Sequence, residues 1–324
     1  MSVLVAGGAG YIGSITAELL IEAGYRVVVY DNLSRGYRQA VPKEAIFVKA
    51  DLSDMDTLKA TFAEYGVDTV LYFAAHSLVG ESMQKPELYF QNNVATGLVV
   101  LEAMRQRNVK HLIFSSTCAV YGIPDEVPIT ESCPTNPISP YGETKLMFER
   151  AGYWYSRIHG IRFTSLRYFN AAGATETRGE NHRPETHLIP IIFEVATGRR
   201  PHLEIFGDDY PTPDGTCIRD YIHVVDLAKA HILALEHKGE PYRIYNLGCG
   251  RGYSVREVLK TAEKVIGSPI PAKVGARRPG DPPRLVADNT KIAKELGWQP
   301  ERTLEEMIAD AWAWHQRFPE GYKE

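Results

Sequence analysis

The stretch Val3-Leu4-Val5-Ala6-Gly7-Gly8-Ala9-Gly10-Tyr11-Ile12-Gly13 decides how the rest of the chain is read. Its consecutive apolar residues read as a strand buried on both faces, the kind found in parallel sheets. Glycines at a G-x-x-G-x-x-G spacing follow, and a helical pattern begins at once. Gly7 allows a tight turn, Gly10 lets the backbone approach a pyrophosphate, and Gly13 lets the helix pack close to the strand. The helix start, at Tyr11 and Ile12, offers free N–H groups and a positive dipole end to phosphates. A glycine cluster alone also marks an ordinary turn. The context here is richer. A second strand, Val27-Val28-Val29-Tyr30, ends in Asp31, about where an acid for the adenosine ribose hydroxyls is expected. A carboxylate there repels a 2′-phosphate, so NAD is expected rather than NADP. The structural alternative is that Asp31 only starts a turn. Asp51-Leu52, after a third strand, stands where it can flank the adenine, or Asp51 can cap the next helix.

Outward from this stretch, short β-branched runs alternate with helical ones: Arg26–Tyr30, Ala45–Val48, Thr69–Phe73, His111–Ser115 and Arg162–Arg167. That alternation predicts βαβ units, hence an α/β protein with a Rossmann-type doubly wound parallel sheet. After Asn170 the chain turns polar and Pro- and Gly-rich, at Thr175–Pro184 and Gly207–Gly215. These segments read as long loops, which are commonly functional. The expected division is 1–170 for the NAD-binding unit and 171–324 mainly for a smaller α/β substrate unit, with some segments returning to the sheet. Near the end, Thr303-Leu304-Glu305-Glu306 reads as a capping box opening a helix with an apolar stripe at Leu304, Met307, Ile308, Ala311 and Trp312. The Trp312–Trp314 pair reads as packing.

Composition excludes several classes. A hydrophobic fraction of 44% in 324 residues supports packed cores, and a net charge of −4 without a dense Lys/Arg run argues against nucleic acid. No apolar run is long enough for a membrane span, and the first strand leaves no room for a signal peptide. Cys118, Cys133, Cys217 and Cys249 are scattered, without zinc spacing. A reduced cytoplasmic protein with no metal is expected.

Ser139-Pro140 reads as an N-cap followed by proline in the first turn. Tyr141 and Lys145 then stand one helical turn apart on one face. A phenol with a reference pKa of about 10 is a poor base. An ammonium roughly 4 Å away contributes on the order of 4 kcal/mol at an effective dielectric near 20. That is about three pKa units, enough to bring the phenol into catalytic range. The pair is equally common as a packed Tyr beside a solvated Lys. It gains from Leu112-Ile113-Phe114-Ser115-Ser116-Thr117, a strand whose carboxyl end faces the ligand crevice of an open α/β sheet. Thr117 is placed there to pass or share a proton.

Together these motifs resemble the extended short-chain dehydrogenase/reductase family. Further stretches resemble the UDP-glucose/UDP-galactose 4-epimerases within it, essentially from end to end. They are Phe73-Ala74-Ala75-His76-Ser77-Leu78-Val79-Gly80-Glu81-Ser82, Asn92-Asn93-Val94, Leu166–Gly173, Phe206–Tyr210 and Arg219-Asp220-Tyr221-Ile222-His223-Val224. The resemblance implies that Gly7, Gly10, Tyr11, Ile12, Gly13, Asp31, Asn32, Asp51, Leu52, Phe73, Ala74, Asn92, Ser115, Tyr141, Lys145 and Tyr168 line the NAD site. Thr117 and Tyr141 would meet the sugar. Asn170, Arg219 and Arg278 would hold the diphosphate, with His187 and Leu188 beside it. Asp281 would bind the uridine ribose, and Phe206 would lie beside the uracil. Two guanidiniums from separate segments suit a diphosphate chemically.

The implied reaction is reversible C4 epimerisation through a 4-keto sugar, with Tyr141 as the base, acting directly or through Thr117, and Lys145 assisting it, and a homodimer is implied as well. Departures from the family pattern are Ser77 for Lys, His187 for Asn and Ile15 for His. Leu285, of intermediate size, stands where bulk is thought to gate N-acetylated sugars. A 4,6-dehydratase of this family has Asp-Glu after the threonine, and here Cys118-Ala119 stand there. UDP-xylose/UDP-arabinose and UDP-GlcNAc/UDP-GalNAc epimerisation stay open as alternatives, and an inactive NAD-sensing protein is a further reading.

Overall fold

The computed structural model describes residues 1–278 and 280–322. Its strands are β1 (Ser2–Ala6), β2 (Arg26–Asp31), β3 (Ile46–Lys49), β4 (Thr69–Tyr72), β5 (His111–Thr117), β6 (Arg162–Tyr168), β7 (Asn170–Ala172), β8 (Leu203–Phe206), β9 (Ile218–His223), β10 (Tyr242–Leu247), β11 (Gly252–Ser254), β12 (Ala272–Gly275) and β13 (Arg284–Leu285). Its helices are α1 (Tyr11–Glu22), α2 (Met55–Tyr65), α3 (Val79–Ser82), α4 (Pro86–Tyr89), α5 (Thr96–Arg107), α6 (Pro140–His159), α7 (Leu188–Ala196), α8 (Val224–Glu236), α9 (Val255–Ile266), α10 (Thr290–Leu296) and α11 (Leu304–Arg317).

The opening stretch explains the large sheet. Every residue of β1 is buried. Successive side chains point to opposite faces, so Val3 and Val5 join one core while Leu4 and Ala6 join the other. Fully burying each such side chain is worth about 1.5–3 kcal/mol, which holds β1 in the sheet interior. Seven strands pair in the order β10-β6-β5-β4-β1-β2-β3, all parallel. The core on the Val3/Val5 face includes Ala17 and Leu20 of α1 and Leu227 and Ala234 of α8. On the other face, Leu58 and Phe62 of α2, Leu101 and Met104 of α5 and Phe148 of α6 pack on the sheet. Ile15 packs against Val224 and Ala228 where α1 meets α8.

β1 lies between β2 and β4, so the strand order reverses there, and a crevice opens at the carboxyl ends of the strands. A second core gathers α7, α9 and α11 around β8 and β9, through Ile192, Phe193, Val258, Met307 and Ile308. β9 pairs with β7, β11 and β13. The chain then re-enters the first body through α8 and β10, and β10 extends the sheet beside β6.

Caps follow the sequence closely at α6 and α11. The Ser139 side chain accepts from Gly142 N–H ahead of Pro140, and Thr303 with Glu306 completes a capping box. At α2 the alternative in which Asp51 caps the helix falls away: the N-cap is Asp54. Asp51 instead accepts from Ser53 and from the Asn32 amide, which turns it back toward the loop after β2. Trp314 is buried, and the Trp312 ring packs on Phe193. Among the described residues no helix is long and apolar enough to cross a membrane.

Candidate active site

A cleft of about 2000 Å³ runs along the carboxyl ends of the parallel strands and on to β8, β9 and β13. It brings together every cofactor- and substrate-binding residue read from the sequence, from Gly7 at one end to Asp281 at the other, and Ser77 and Leu285 also line it.

At the cofactor end, Gly7 has φ of +79°, a left-handed conformation that favours glycine. A Cβ on Gly13 would lie 2.4 Å from the Gly7 carbonyl oxygen, so the turn closes only with glycine there. Gly10 is the N-cap of α1 and makes no side-chain cap, which leaves the first N–H groups of the helix facing the cleft. The buried Asp31 carboxylate accepts from Ala9 N–H at 3.0 Å and Leu33 N–H at 2.8 Å. It therefore ties β2 to the glycine loop, and it is the acid expected at the ribose. Burial raises its pKa and those two backbone donors lower it. Phe73, at the tip of β4, stacks on His231 at 4.8 Å, and the Tyr168 hydroxyl is hydrogen-bonded to the same imidazole.

At the middle of the cleft, β5 ends in Ser115-Ser116-Thr117 and α6 presents Tyr141 and Lys145. Lys145 is buried, and its ammonium donates to the Ser115 carbonyl at 2.7 Å. It sits 5.9 Å from the centre of the Tyr141 ring. Burial pushes Lys145 down to about 7 and Tyr141 up to about 12. The expectation that the lysine charge lowers the phenol is thus corrected. Desolvation dominates both groups, and the ammonium spends a hydrogen bond on β5. A hydrogen bond from Thr117 works against the burial and eases ionisation of the phenol. The Thr117 hydroxyl accepts from Ala119 N–H at 3.1 Å, so its own proton can serve the Tyr141 phenol.

At the far end, the Arg278 guanidinium lies 3.8 Å from the centre of the Phe206 ring. Arg219 donates to the carbonyls of Ile218 and Pro282, at 3.0 and 2.8 Å, and pairs with Asp281 at 3.4 Å. Its pairing with Asp281 links the residues expected for diphosphate and uridine ribose. Leu285 is in register with Arg219 across β13 and β9. The Asn170 amide donates to Asp220 O at 2.8 Å. The Nδ1 of His187 is 2.9 Å from Glu185, so only its other ring nitrogen is left for a phosphate.

The model of the NAD dependent epimerase/dehydratase family matches residues 3–248. The chain belongs to that family. It is 52% identical to a UDP-glucose 4-epimerase of Corynebacterium glutamicum, over 97% of this chain and 95% of the relative. The structure of UDP-glucose 4-epimerase from Brucella ovis in complex with NAD superposes with a TM-score of 0.93, at 47% identity, over 96% of this chain and 97% of that one. The epimerase from Bifidobacterium longum, in complex with NAD+ and UDP, gives a TM-score of 0.94 at 41% identity, over 99% of this chain and all of that one.

One element of this epimerase/dehydratase site was missed from the sequence. Glu149 follows Tyr141 and Lys145 at the same helical spacing. Its carboxylate, buried below the lysine, receives Ser116 and Ser165 hydroxyls, both at 2.7 Å. Arg167 binds it with two nitrogens, at 3.0 and 2.6 Å. Arg167 also donates to Tyr121, which in turn donates to Asn246 on β10. The spacing was visible, but the arginine that neutralises Glu149 comes from a separate strand.

Proposed function

We propose that this chain interconverts UDP-glucose and UDP-galactose by reversible epimerisation at C4, with NAD held in the cleft. The observation that carries this reading is the convergence of Thr117, Tyr141 and Lys145 with Arg219 and Arg278 along one cleft. The end-to-end similarity to UDP-glucose 4-epimerases supports it. The residues present suit a dinucleotide. Gly7 and Gly13 make a cradle that a Cβ would fill, and a buried acid stands at the tip of β2. Gly7, Gly10, Gly13, Asp31, Ser115, Lys145 and Tyr168 would hold it. When bound, NAD supplies reversible hydride acceptance at the sugar C4, and its ring charge favours the phenolate.

The rest is the work of this chain's own side chains. Tyr141 takes the proton from the sugar 4-hydroxyl and later returns it, with Thr117 sharing the hydrogen bond. Lys145 holds the cofactor ribose. Arg219, Arg278 and Asn170 grip the diphosphate, while Phe206 and Asp281 take the uridine. Binding energy gathered at the nucleotide holds the intermediate while the sugar is gripped weakly. A weakly held 4-keto sugar can turn its other face to C4 chemistry, and C4 is inverted. Cys118-Ala119 supply neither the acid nor the base that dehydration needs.

Residues 1–170 serve as the cofactor unit in this reading, and 171–324 mainly as the sugar-nucleotide unit, in a cytoplasmic homodimer. Leu98 on α5 and Met147, Trp154 and Ile158 on α6 are exposed large apolar residues, which supports pairing through these helices. Sedimentation is expected to give twice the chain mass.

The test is turnover of UDP-galactose to UDP-glucose without added reductant. Tyr141→Phe is expected to keep bound NAD and to lose about 10²–10⁴-fold in rate. Absence of turnover by the unaltered protein overturns the reading.

A further inference from the structure

The loop from Glu180 to His187 lies on the rim of the cleft and leads directly into α7. Nδ1 of His182 is 2.9 Å from Oε1 of Glu180. Nδ1 of His187 is 2.9 Å from that same oxygen and 2.9 Å from Oε1 of Glu185. One donor atom from each of the four residues lies within 4.8 Å of the other three. The two carboxylate side chains are only 9% and 7% exposed, while the ring of His187 reaches solvent. Two buried carboxylates side by side repel unless a cation joins them. One proton on Nδ1 of His187 cannot make a full hydrogen bond to both oxygens.

We propose that Glu180, His182, Glu185 and His187 form a binding site for a zinc-type divalent cation. Two imidazole nitrogens and two carboxylate oxygens suit such an ion and balance its charge. Bonds of about 2.0–2.2 Å at tetrahedral angles set neighbouring donors roughly 3.2–3.6 Å apart. The observed spacings bracket that range, so small side-chain shifts close the shell. The ion takes the place of the Nδ1 protons and leaves both imidazoles in the Nε2–H form.

The sequence expectation of no metal rested on cysteine spacing, and this donor set contains no cysteine. None of the four residues belongs to the Thr117, Tyr141 and Lys145 set, so the role of the site is positioning. The His182 ring meets the edge of Tyr11, the first residue of α1, at 6.4 Å. His187 is the N-cap of α7. A bound ion therefore pins the start of α7 near the start of the helix that faces the cofactor. This inference stands independently of the epimerase reading.

The test is direct. The full-length protein is stripped with a chelator, titrated with zinc chloride and desalted, and its metal content is measured. One zinc per chain is expected, together with a rise in Tm. His182→Ala and Glu185→Gln should each weaken zinc binding at least about tenfold and abolish the shift. Zinc uptake unchanged in both variants, or none by the unaltered protein, overturns the proposal. X-ray absorption on the unaltered protein covers the case of a variant that does not fold. A nitrogen/oxygen shell supports the site, and a sulfur shell overturns it.

Discussion

Tyr141, Lys145 and Glu149 show what a helix face carries. Spacing brings the three onto one side of α6, but only packing decides their charge states. Burial pushes the phenol up and the lysine down, and the nearby Glu149 carboxylate raises the lysine. Glu149→Gln removes that field and leaves Arg167 buried without a counter-charge. It is expected to destabilise the protein by about 3–5 kcal/mol, read as a lower urea midpoint with an unchanged slope. An unchanged midpoint would mean that the network carries no net energy. Leu285 is the proposed specificity residue at the same scale. It lines the cleft in register with Arg219, so Leu285→Tyr adds bulk close to the diphosphate end. Turnover of N-acetylated UDP-sugars should fall while UDP-galactose turnover is retained, as read from product composition. An equal fall in both would remove Leu285 as the gate. Tyr141, Lys145 and Leu285 could be picked out from the sequence as candidates, and Glu149 could not. The raised phenol was not legible either, because desolvation depends on neighbours from β5 and the cleft wall rather than on the helix.

Among the elements, the β1–glycine loop–α1 unit was legible almost completely. Its strand periodicity, its turn and its helix start are all local. Gly13→Ala tests its closeness: the new Cβ meets a backbone oxygen of Gly7, which cannot swing aside as a flexible side chain does. The helix must shift, at a cost of about 1–3 kcal/mol. Purified protein is expected to lose most of its bound NAD, and normal NAD content would show that the loop tolerates the shift. The capping boxes were legible for the same local reason. The two readings of Asp51 could not be separated locally because two acids stand three positions apart ahead of α2, Asp51 and Asp54. Either can cap in isolation, and it is the Asn32 contact, from another loop, that claims Asp51.

For the whole molecule, stability against acid follows from buried imidazoles. Burial holds His111 at about 3, His223 at about 4 and His231 at about 4, against about 6.5 when exposed. Between those values the unfolded chain binds more protons than the folded one, so stability is present above pH 6.5 and is lost as pH falls toward 4. Asp220 opposes this, since burial raises its pKa to about 6 and the folded state then holds the extra proton. Three imidazoles outweigh one carboxyl. The urea midpoint is expected to be lower at pH 5 than at pH 7, and an equal or higher midpoint would contradict that balance. The sheet type was legible at this scale, and its strand membership was not. Tyr242–Leu247 reads as any half-buried strand, and nothing local names β6 as its partner.

That pairing governs how the protein can be re-engineered. A chain cut after residue 170 loses α8 and β10 together. β6 would then end the sheet as a bare edge, a template for another copy to pair with. α1 would at the same stroke expose Ile15 and its neighbours, now covered by α8. The first 170 residues are not a portable module. Sugar preference is better exchanged between relatives by grafting the loops that line the cleft than by shuffling halves at that joint.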